Sequence, residues 1–452
     1  MTYDYNKIFK SYDVRGIVPK ELNSEMAYAI GRAFVEEIKC NVVYIGHDMR
    51  VSSKDLHNAL VEGITDAGCN VISLGLVSTD MAYYASGKYN APAIMITASH
   101  NPKEYNGIKF CKEGAQAISY DGGLKQIKER AEKGFSDAQK AQKGSYETKD
   151  ILSEFLDTLI DKIDVTAIKP MTIAVDAGNG MAGLFMPRVA EKIPQIKLVP
   201  LFFELDGTFP NHPANPIDSA NVQDLIKKIK EVNADIGLAF DGDADRVYLV
   251  DDAGVPVSAS ITTAMTAKAL LLKSPSSTVI HNVVCSWIVP EIVKKYGGTP
   301  FETKVGHSII KPIMREKQAI FGGEHSGHYY FKDLYYADSG LLAALYILEL
   351  LSKAEGTVSD VLNEFRKYYA IEETNVSIDD KDAVLSRIIK RYKDADGVVS
   401  YKDFDGIRVD FKEWWFNVRP SNTEPLLRLN LEAVSPELVE EKKAELLALM
   451  KG

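Results

Sequence analysis

Residues 241–246 read Asp-Gly-Asp-Ala-Asp-Arg. The three carboxylates, Asp241, Asp243 and Asp245, lie between two apolar runs, residues 234–240 and 247–250, and each run predicts a buried strand. A strand–turn–strand arrangement turns three hard oxygen donors to one side. Bare carboxylates that close repel one another, so a cation is the expected compensation. Oxygen donors without His or Cys suit Mg²⁺ rather than zinc. Arg246 adds a guanidinium matched to phosphate. An EF-hand loop is excluded, because its sixth and twelfth positions would be Gly and Glu and here are Arg246 and Asp252. The competing reading is a solvated acidic turn, which the buried flanks disfavour.

Three more polar segments follow apolar runs. A strand predicted over residues 92–97 runs into Ala98-Ser99-His100-Asn101-Pro102, a turn that presents the Ser99 hydroxyl to a cleft. The pattern is not a G-x-S-x-G elbow. Neighbours in an extended segment point apart, so Ser99 and His100 are not expected to pair. Gly322-Gly-Glu-His-Ser-Gly-His328 places Glu324, Ser326 and His328 at period two. An extended strand end would set all three on one face, ready for adjacent sugar hydroxyls. Arg419-Pro-Ser-Asn-Thr423 offers Arg419, Ser421, Asn422, Thr423 and turn N–H groups as a phosphate nest. Residues 9–16 form a basic, aromatic turn. Gly178-Asn-Gly180 lacks both the dinucleotide and the P-loop spacing and reads as a packing turn. His47, His57, His212 and His281 read as packing or surface residues.

These segments need a large scaffold. At 452 residues the length suggests about three domains. A net charge of −10 argues against nucleic acid or an anionic membrane as a general partner. Cys40, Cys69, Cys111 and Cys285 form no CxxC pair and read as buried small hydrophobes in a cytoplasmic protein. The N-terminus lacks a signal core, and no apolar run approaches the roughly 20 residues of a membrane span. Helices are predicted over 24–39, 54–67, 221–232, 260–272, 289–296, 339–353, 358–369, 381–392 and 436–450. Strands are predicted over 41–45, 70–76, 92–97, 171–176, 197–203, 278–284, 397–401, 407–411, 414–418 and 426–431. The alternation implies α/β units. Residues 112–165 read as charged and helical, with a surface helix and linker near 136–146, and the last ~80 residues as a smaller α+β domain.

Taken in order, the four motifs T-A-S-H-N-P, D-G-D-A-D-R, G-E-H-S-G-H and R-P-S-N-T resemble those of the α-D-phosphohexomutase superfamily, most closely its phosphomannomutase/phosphoglucomutase branch, over essentially the whole chain. The resemblance implies three similar mixed α/β domains and a C-terminal TATA-box-binding-protein-like α+β domain around a central cleft. Their expected bounds are 1–145 (phosphoserine), 146–253 (metal), 254–368 (sugar) and 369–452 (phosphate). It implies that Ser99 carries a phosphoryl group and that Ser99, Asp241, Asp243 and Asp245 hold Mg²⁺. Glu324, Ser326 and His328 would read sugar hydroxyls, and Arg419, Ser421, Asn422 and Thr423 the phosphate that stays in place. Tyr12, Arg15, His100, Lys109, Arg246 and His307 would line the reaction centre. Lys109 and His307 are the acid/base candidates, each expected to titrate near neutrality if suitably buried.

The implied activity interconverts hexose 1- and 6-phosphates through a bound hexose 1,6-bisphosphate, with glucose 1,6-bisphosphate as activator. Phosphosugars would be its substrates, and the chain would be a monomer or homodimer. A phosphoglucosamine mutase and a Mg-dependent sugar phosphatase stand as alternatives. Asn422 and D-G-D-A-D-R favour hexose, since glucosamine mutases usually carry Gly at the first position and D-G-D-G-D-R. His325, often Met in dual-specificity members, and Val284, Lys in some, depart from that pattern.

Overall fold

The computed structural model describes residues 3–135, 142–421 and 426–451. Four sheets organise the chain. The first runs, in spatial order, Asp13–Ile17, Tyr105–Lys112, Ala93–Ile96, Val42–His47, Asn70–Leu76, Tyr146–Thr148. The second is Pro256–Val257, Val247–Asp251, Ile236–Phe240, Met171–Asp176, Ile196–Leu201, and the third Thr299–Thr303, Thr278–Asn282, Phe321–Gly323, Tyr329–Phe331, Ala337–Asp338.

These three sheets share one plan. Parallel ladders give way to antiparallel ones at a single strand, Ala93–Ile96, Ile236–Phe240 or Phe321–Gly323. In each, the connection leaving that strand carries one of the polar segments. A sheet's crevice opens at the carboxyl ends of its strands where its order switches, which is why the chemistry collects there. The fourth sheet is antiparallel: Tyr369–Ala370, Leu426–Ala433, Trp414–Pro420, Ile407–Phe411, Val398–Lys402, with Thr374–Ser377 also on Leu426–Ala433. Helices Lys381–Tyr392 and Pro436–Lys451 share a core with it. Four mixed α/β or α+β units around a cleft therefore make up the fold.

Every residue of Ile236–Phe240 and Val247–Asp251 is buried, so these strands read as continuous apolar runs rather than alternating ones. Helix Gly340–Lys353, capped by the Ser339 hydroxyl, is buried almost all round. It belongs to a core that runs through the first three units. Among the described residues, no helix is long and apolar enough to cross a membrane.

Several elements differ from expectation. Helix Thr79–Tyr89 has no predicted counterpart; its first eight residues are all buried, so it lacks the polar stripe that makes a helix visible in sequence. Strands Asp13–Ile17 and Tyr105–Lys112 were likewise not anticipated. The helix expected over 358–369 stops at Leu362, behind a Thr357–Asp360 capping box, and the chain then crosses to the fourth sheet. Within 112–165 the chain forms helices Lys125–Lys133 and Leu152–Ile160 and the edge strand Tyr146–Thr148. The surface helix expected near 136–146 falls largely on residues 136–141, outside the described residues.

Candidate active site

The second hairpin closes at the pair Phe240–Val247, which forces residues 241–246 into a tight turn with Ala244 in the left-handed region. Asp241, Asp243 and Asp245 are all buried, and their oxygens come within 4.8 Å of one another. Lys109 Nζ bridges Asp243 Oδ2 (2.8 Å) and Asp245 Oδ2 (2.7 Å). Asp243 Oδ1 and Asp245 Oδ1 are buried without a hydrogen-bond donor. Thr79, at the N-terminus of its helix, donates its hydroxyl to Asp243 Oδ2 (2.6 Å). Arg246 reaches back, Nη2 to Asp241 Oδ2 at 2.6 Å and Nε at 2.9 Å.

Burial pushes the Asp241 carboxyl up to about 8, with Arg246 opposing and the charges of Asp243 and Asp245 adding to the rise. Burial would also raise Asp243, but the Lys109 charge and hydrogen bond outweigh it and hold that carboxyl low. An all-oxygen donor set with orphaned buried oxygens fits a metal ion, and the hard donors suit Mg²⁺.

The first hairpin delivers Ser99. Its hydroxyl donates to Asp241 Oδ2 (2.7 Å) and accepts from Arg246 Nη2 (2.8 Å). The two turns touch because residue 242 is glycine: a Cβ there would lie 2.5 Å from the Ser99 carbonyl oxygen. Ser99 itself is left-handed, φ 50°. The segment is therefore not extended, and the expectation that Ser99 and His100 point apart fails: Ser99 Oγ lies 3.3 Å from His100 Nδ1. The same His100 nitrogen meets Arg246 Nη2, whose charge, with burial, holds the imidazole well below its usual range. Arg15 Nη1 donates to the Ala98 carbonyl (3.0 Å) and contacts Asn101.

The third hairpin differs from expectation in local form. Residues 324–328 make a tight turn between Phe321–Gly323 and Tyr329–Phe331, with Glu324 N donating to His328 O (3.0 Å), not an extended strand end. The side chains still converge: Ser326 Oγ and His328 Nδ1 are 2.9 Å apart, and Glu324 Oε2 is 4.0 Å from His328 Nδ1. Glu324 accepts from Tyr330 Oη (2.5 Å) and the Gly306 amide (2.9 Å). His307 opens helix His307–Lys317, its ring edge-on to Tyr12 at 4.8 Å, its Nδ1 buried without a partner.

Burial, with Lys311 adding, holds His307 well below the imidazole range. Burial alone would lower Lys109, but Asp243 and Asp245 hold it well above its usual value. Neither group sits near neutrality here, because burial and nearby cations act together on His307, whereas two carboxylates overrule burial on Lys109. A bridge between Arg246 and His328 joins the second and third turns, and Tyr248 Oη donates to the Ser326 carbonyl (2.6 Å).

In the fourth unit Arg419 Nη2 donates to Glu373 Oε2 (3.1 Å), and Glu373 also accepts from Arg428 and Asn430. Burial lowers the His325 imidazole, and His325 senses both Glu373 and Arg419 across the unit boundary. Ser421 is buried at the strand end. Asn422 and Thr423 lie outside the described residues. An open cavity of about 730 Å³ lies beside Tyr12, Ser11 and Ser308. The packing turn Gly178-Asn-Gly180 seats against the acidic turn, Met181 N donating to the Gly242 carbonyl at 2.9 Å.

Sequence reasoning missed Thr79, Arg50, Asp80, Lys311 and Asp338. Asp80 is wholly buried, accepts from Ser339 (2.6 Å), and is pushed up by burial to about 7. Lys311 and Asp338 form a buried ion pair at 2.7 Å beside His307 and His328. None of these stands in a motif; the lone hint is a charged residue inside an apolar stretch.

Comparison with known proteins gives the same picture. Family models described as phosphoglucomutase/phosphomannomutase alpha/beta/alpha domains I, II and III match residues 6–137, 153–254 and 259–369, and the C-terminal domain of that family matches 373–449. A Xanthomonas campestris pv. campestris protein called phosphohexose mutases is 38% identical over 447 residues, 98% of this chain and 99% of its own. Phosphomannomutase/phosphoglucomutase of Pseudomonas aeruginosa is 36% identical over 443 residues, 96% and 94% of the two chains. The crystal structure of a phosphoglucomutase/phosphomannomutase family protein from Burkholderia thailandensis superposes with TM-score 0.88 at 32% identity, covering 98% of this chain and 97% of that one.

Proposed function

The chain belongs to the phosphoglucomutase/phosphomannomutase family, and on that premise we propose that it interconverts hexose 1-phosphates and hexose 6-phosphates through a phosphoryl group carried on Ser99. The observation that carries this reading is the Ser99 hydroxyl held between Asp241 and Arg246, across the boundary of two sheets. The units contributing to the reaction are residues 1–145, 146–253, 254–368 and 369–452.

Asp241, Asp243 and Asp245, with an oxygen of a phosphoryl group on Ser99, would hold Mg²⁺. Bound there, the ion would draw negative charge from the phosphoryl group as it transfers. Arg246 holds the Ser99 oxygen and is itself held by His100, so charge that develops on that oxygen when the P–O bond breaks meets a buried guanidinium. The attacking sugar hydroxyl must lose a proton. His307, neutral and with a buried unpartnered Nδ1, is the acceptor, while Lys109 supplies fixed positive charge over Asp243 and Asp245. Arg15 and Tyr12 brace the Ser99 loop and the His307 ring respectively.

Glu324, Ser326 and His328 are the readers of adjacent sugar hydroxyls, the same three groups serving both orientations of the bisphosphate. Arg419, Ser421, Asn422 and Thr423 hold the phosphate that is not transferred, so the intermediate turns around without leaving. Glucose and mannose differ at C2 alone, and a site that reads other hydroxyls accepts both. Activation by glucose 1,6-bisphosphate follows, since it rephosphorylates a bare Ser99. ³¹P NMR of mannose, glucose and glucosamine 1-phosphates with Mg²⁺ and glucose 1,6-bisphosphate tests the reading. Comparable conversion of the two hexoses is expected. Conversion of the amino sugar alone would make this a glucosamine mutase, and inorganic phosphate without isomerisation a phosphatase.

A further inference from the structure

One buried cation touches the Ser99 loop without touching the acidic turn's oxygens. Arg50 follows strand Val42–His47, and its side chain is fully buried. Its guanidinium donates to four carbonyls of a single loop: Nη2 to Ser99 O (2.7 Å) and Asn101 O (2.7 Å), Nη1 to Pro102 O (2.8 Å) and Tyr105 O (2.9 Å). Nε lies 3.3 Å from Asp48 Oδ2. Asp48 Oδ1 is fixed in turn by the Ser53 hydroxyl (2.5 Å) and the Arg50 amide (3.0 Å). Phe209, from the second unit, lies over the guanidinium at 5.1 Å.

The loop needs such a clamp. Ser99 is held at φ 50°, a left-handed conformation that strains a non-glycine residue and that it keeps only when its surroundings over-determine it. The direction of the Ser99 hydroxyl depends on that backbone. We propose that Arg50 is a positioning residue for Ser99, fixing the left-handed turn that aims the hydroxyl at Asp241 and Arg246 and so setting the rate of phosphoryl transfer. The inference rests on the reading of Ser99 as the phosphoryl carrier. A planar fork with paired donors matches four carbonyls; a lysine ammonium, one compact centre, does not.

The test uses the full chain. Arg50→Lys keeps a cation beside Asp48 and loses the fork, and Arg50→Ala leaves a slot into which added ethylguanidinium fits. Melting temperature, kcat and KM for glucose 1-phosphate are measured with Mg²⁺ and glucose 1,6-bisphosphate. Misplacement of a reacting group by about 1 Å costs on the order of 100-fold, so folded Arg50→Lys should lose about that in kcat. Its KM should stay within about threefold, because Arg50 makes no contact in the sugar-reading turn. Ethylguanidinium should restore part of the Arg50→Ala turnover. Native-like kcat in folded Arg50→Lys would overturn the proposal. So would loss of the fold in Arg50→Lys, which would make Arg50 a support for the domain rather than for Ser99. A native enzyme with no mutase activity would instead remove the mutase reading, and this inference with it.

Discussion

Replacing Lys109 with Met keeps an unbranched side chain in the slot and removes the charge that bridges Asp243 and Asp245. Three buried carboxylates then face Arg246 alone. Lys109 is 15% exposed, while the two aspartates it serves are 0% and 1% exposed. Breaking a buried pair by removing one partner costs about 3–5 kcal/mol, and the slight exposure of Lys109 points to the lower end, about 3 kcal/mol. At roughly 2–4 °C per kcal/mol for a unit of this size, the metal-free protein should lose about 6–12 °C at the transition that melts the first two units. Metal affinity should move the other way. Two unit charges about 4 Å apart repel by about 4 kcal/mol at an effective dielectric near 20, and Lys109 is flexible enough to relieve much of that. A residual 1.4 kcal/mol is a factor of ten, so the variant should bind Mg²⁺ at least about tenfold tighter. Turnover should fall by about 10²-fold or more, because the fixed charge that Lys109 holds over Asp243 and Asp245 is lost from the reaction centre. Scanning fluorimetry in EDTA, calorimetric titration with Mg²⁺ and the phosphosugar assay report these three quantities. An unchanged metal-free melting temperature together with unchanged Mg²⁺ affinity would refute the view of Lys109 as the internal counter-ion of the acidic turn.

Other outcomes follow from the same geometry. Ser99→Ala should abolish turnover and the phosphoprotein form seen by intact mass, while sugar-phosphate binding by calorimetry stays within a fewfold of native; residual turnover near the native rate would exclude Ser99 as the carrier. Thr79→Val removes a hydroxyl from an outer bond to Asp243, and loss of such an orienting partner costs about 10–100-fold in metal affinity, read as a shift in the Mg²⁺ dependence of activity. His57 is buried, donates or accepts at Ser73 Oγ (2.9 Å), and is pulled by burial down to about 4. The unfolded chain therefore takes up a proton near pH 6.5 that the folded one refuses until near pH 4. Stability should be full above that window and fall by up to about 3 kcal/mol as pH drops through it, and urea unfolding of His57→Gln should lack this part of the acid loss.

The sequence exposed the site far better than its supports. Asp241, Asp243, Asp245 and Arg246 could be read together because a hairpin turn compresses them into six residues between two apolar runs. Ser99 was legible for the same reason. Arg50 and Thr79 were not: each reaches its partner across 49 and 164 residues of chain, and no local pattern encodes a contact of that range. The Ser99–His100 contact was misjudged because an extended segment was assumed where the backbone turns left-handed. The tight turn at 324–328 escaped because period two fits a strand end and a short hairpin connection equally well, and Gly327 at φ 83° decides for the turn. Helix Thr79–Tyr89 shows the remaining limit: buried on every side over its first eight residues, it has no amphipathic period to detect.

The backbone bridge between Arg246 and His328 bears on how this molecule can be taken apart and recombined. Three units with one strand plan invite exchange of modules between relatives, with cuts placed in the connections. A graft that swaps the third unit alone would have to restore that bridge, the Tyr248–Ser326 bond, and the close seat of Gly340 against the Arg246 carbonyl, where a Cβ would lie 2.7 Å from the carbonyl carbon. The second and third units therefore form one inheritable block. The fourth meets the third through side chains, such as Trp287 on Asp410 and Arg408 on the Val283 carbonyl, and a few compensating substitutions could let a foreign fourth unit dock. Substrate range would then be open to change by shuffling at one seam and closed to it at the other.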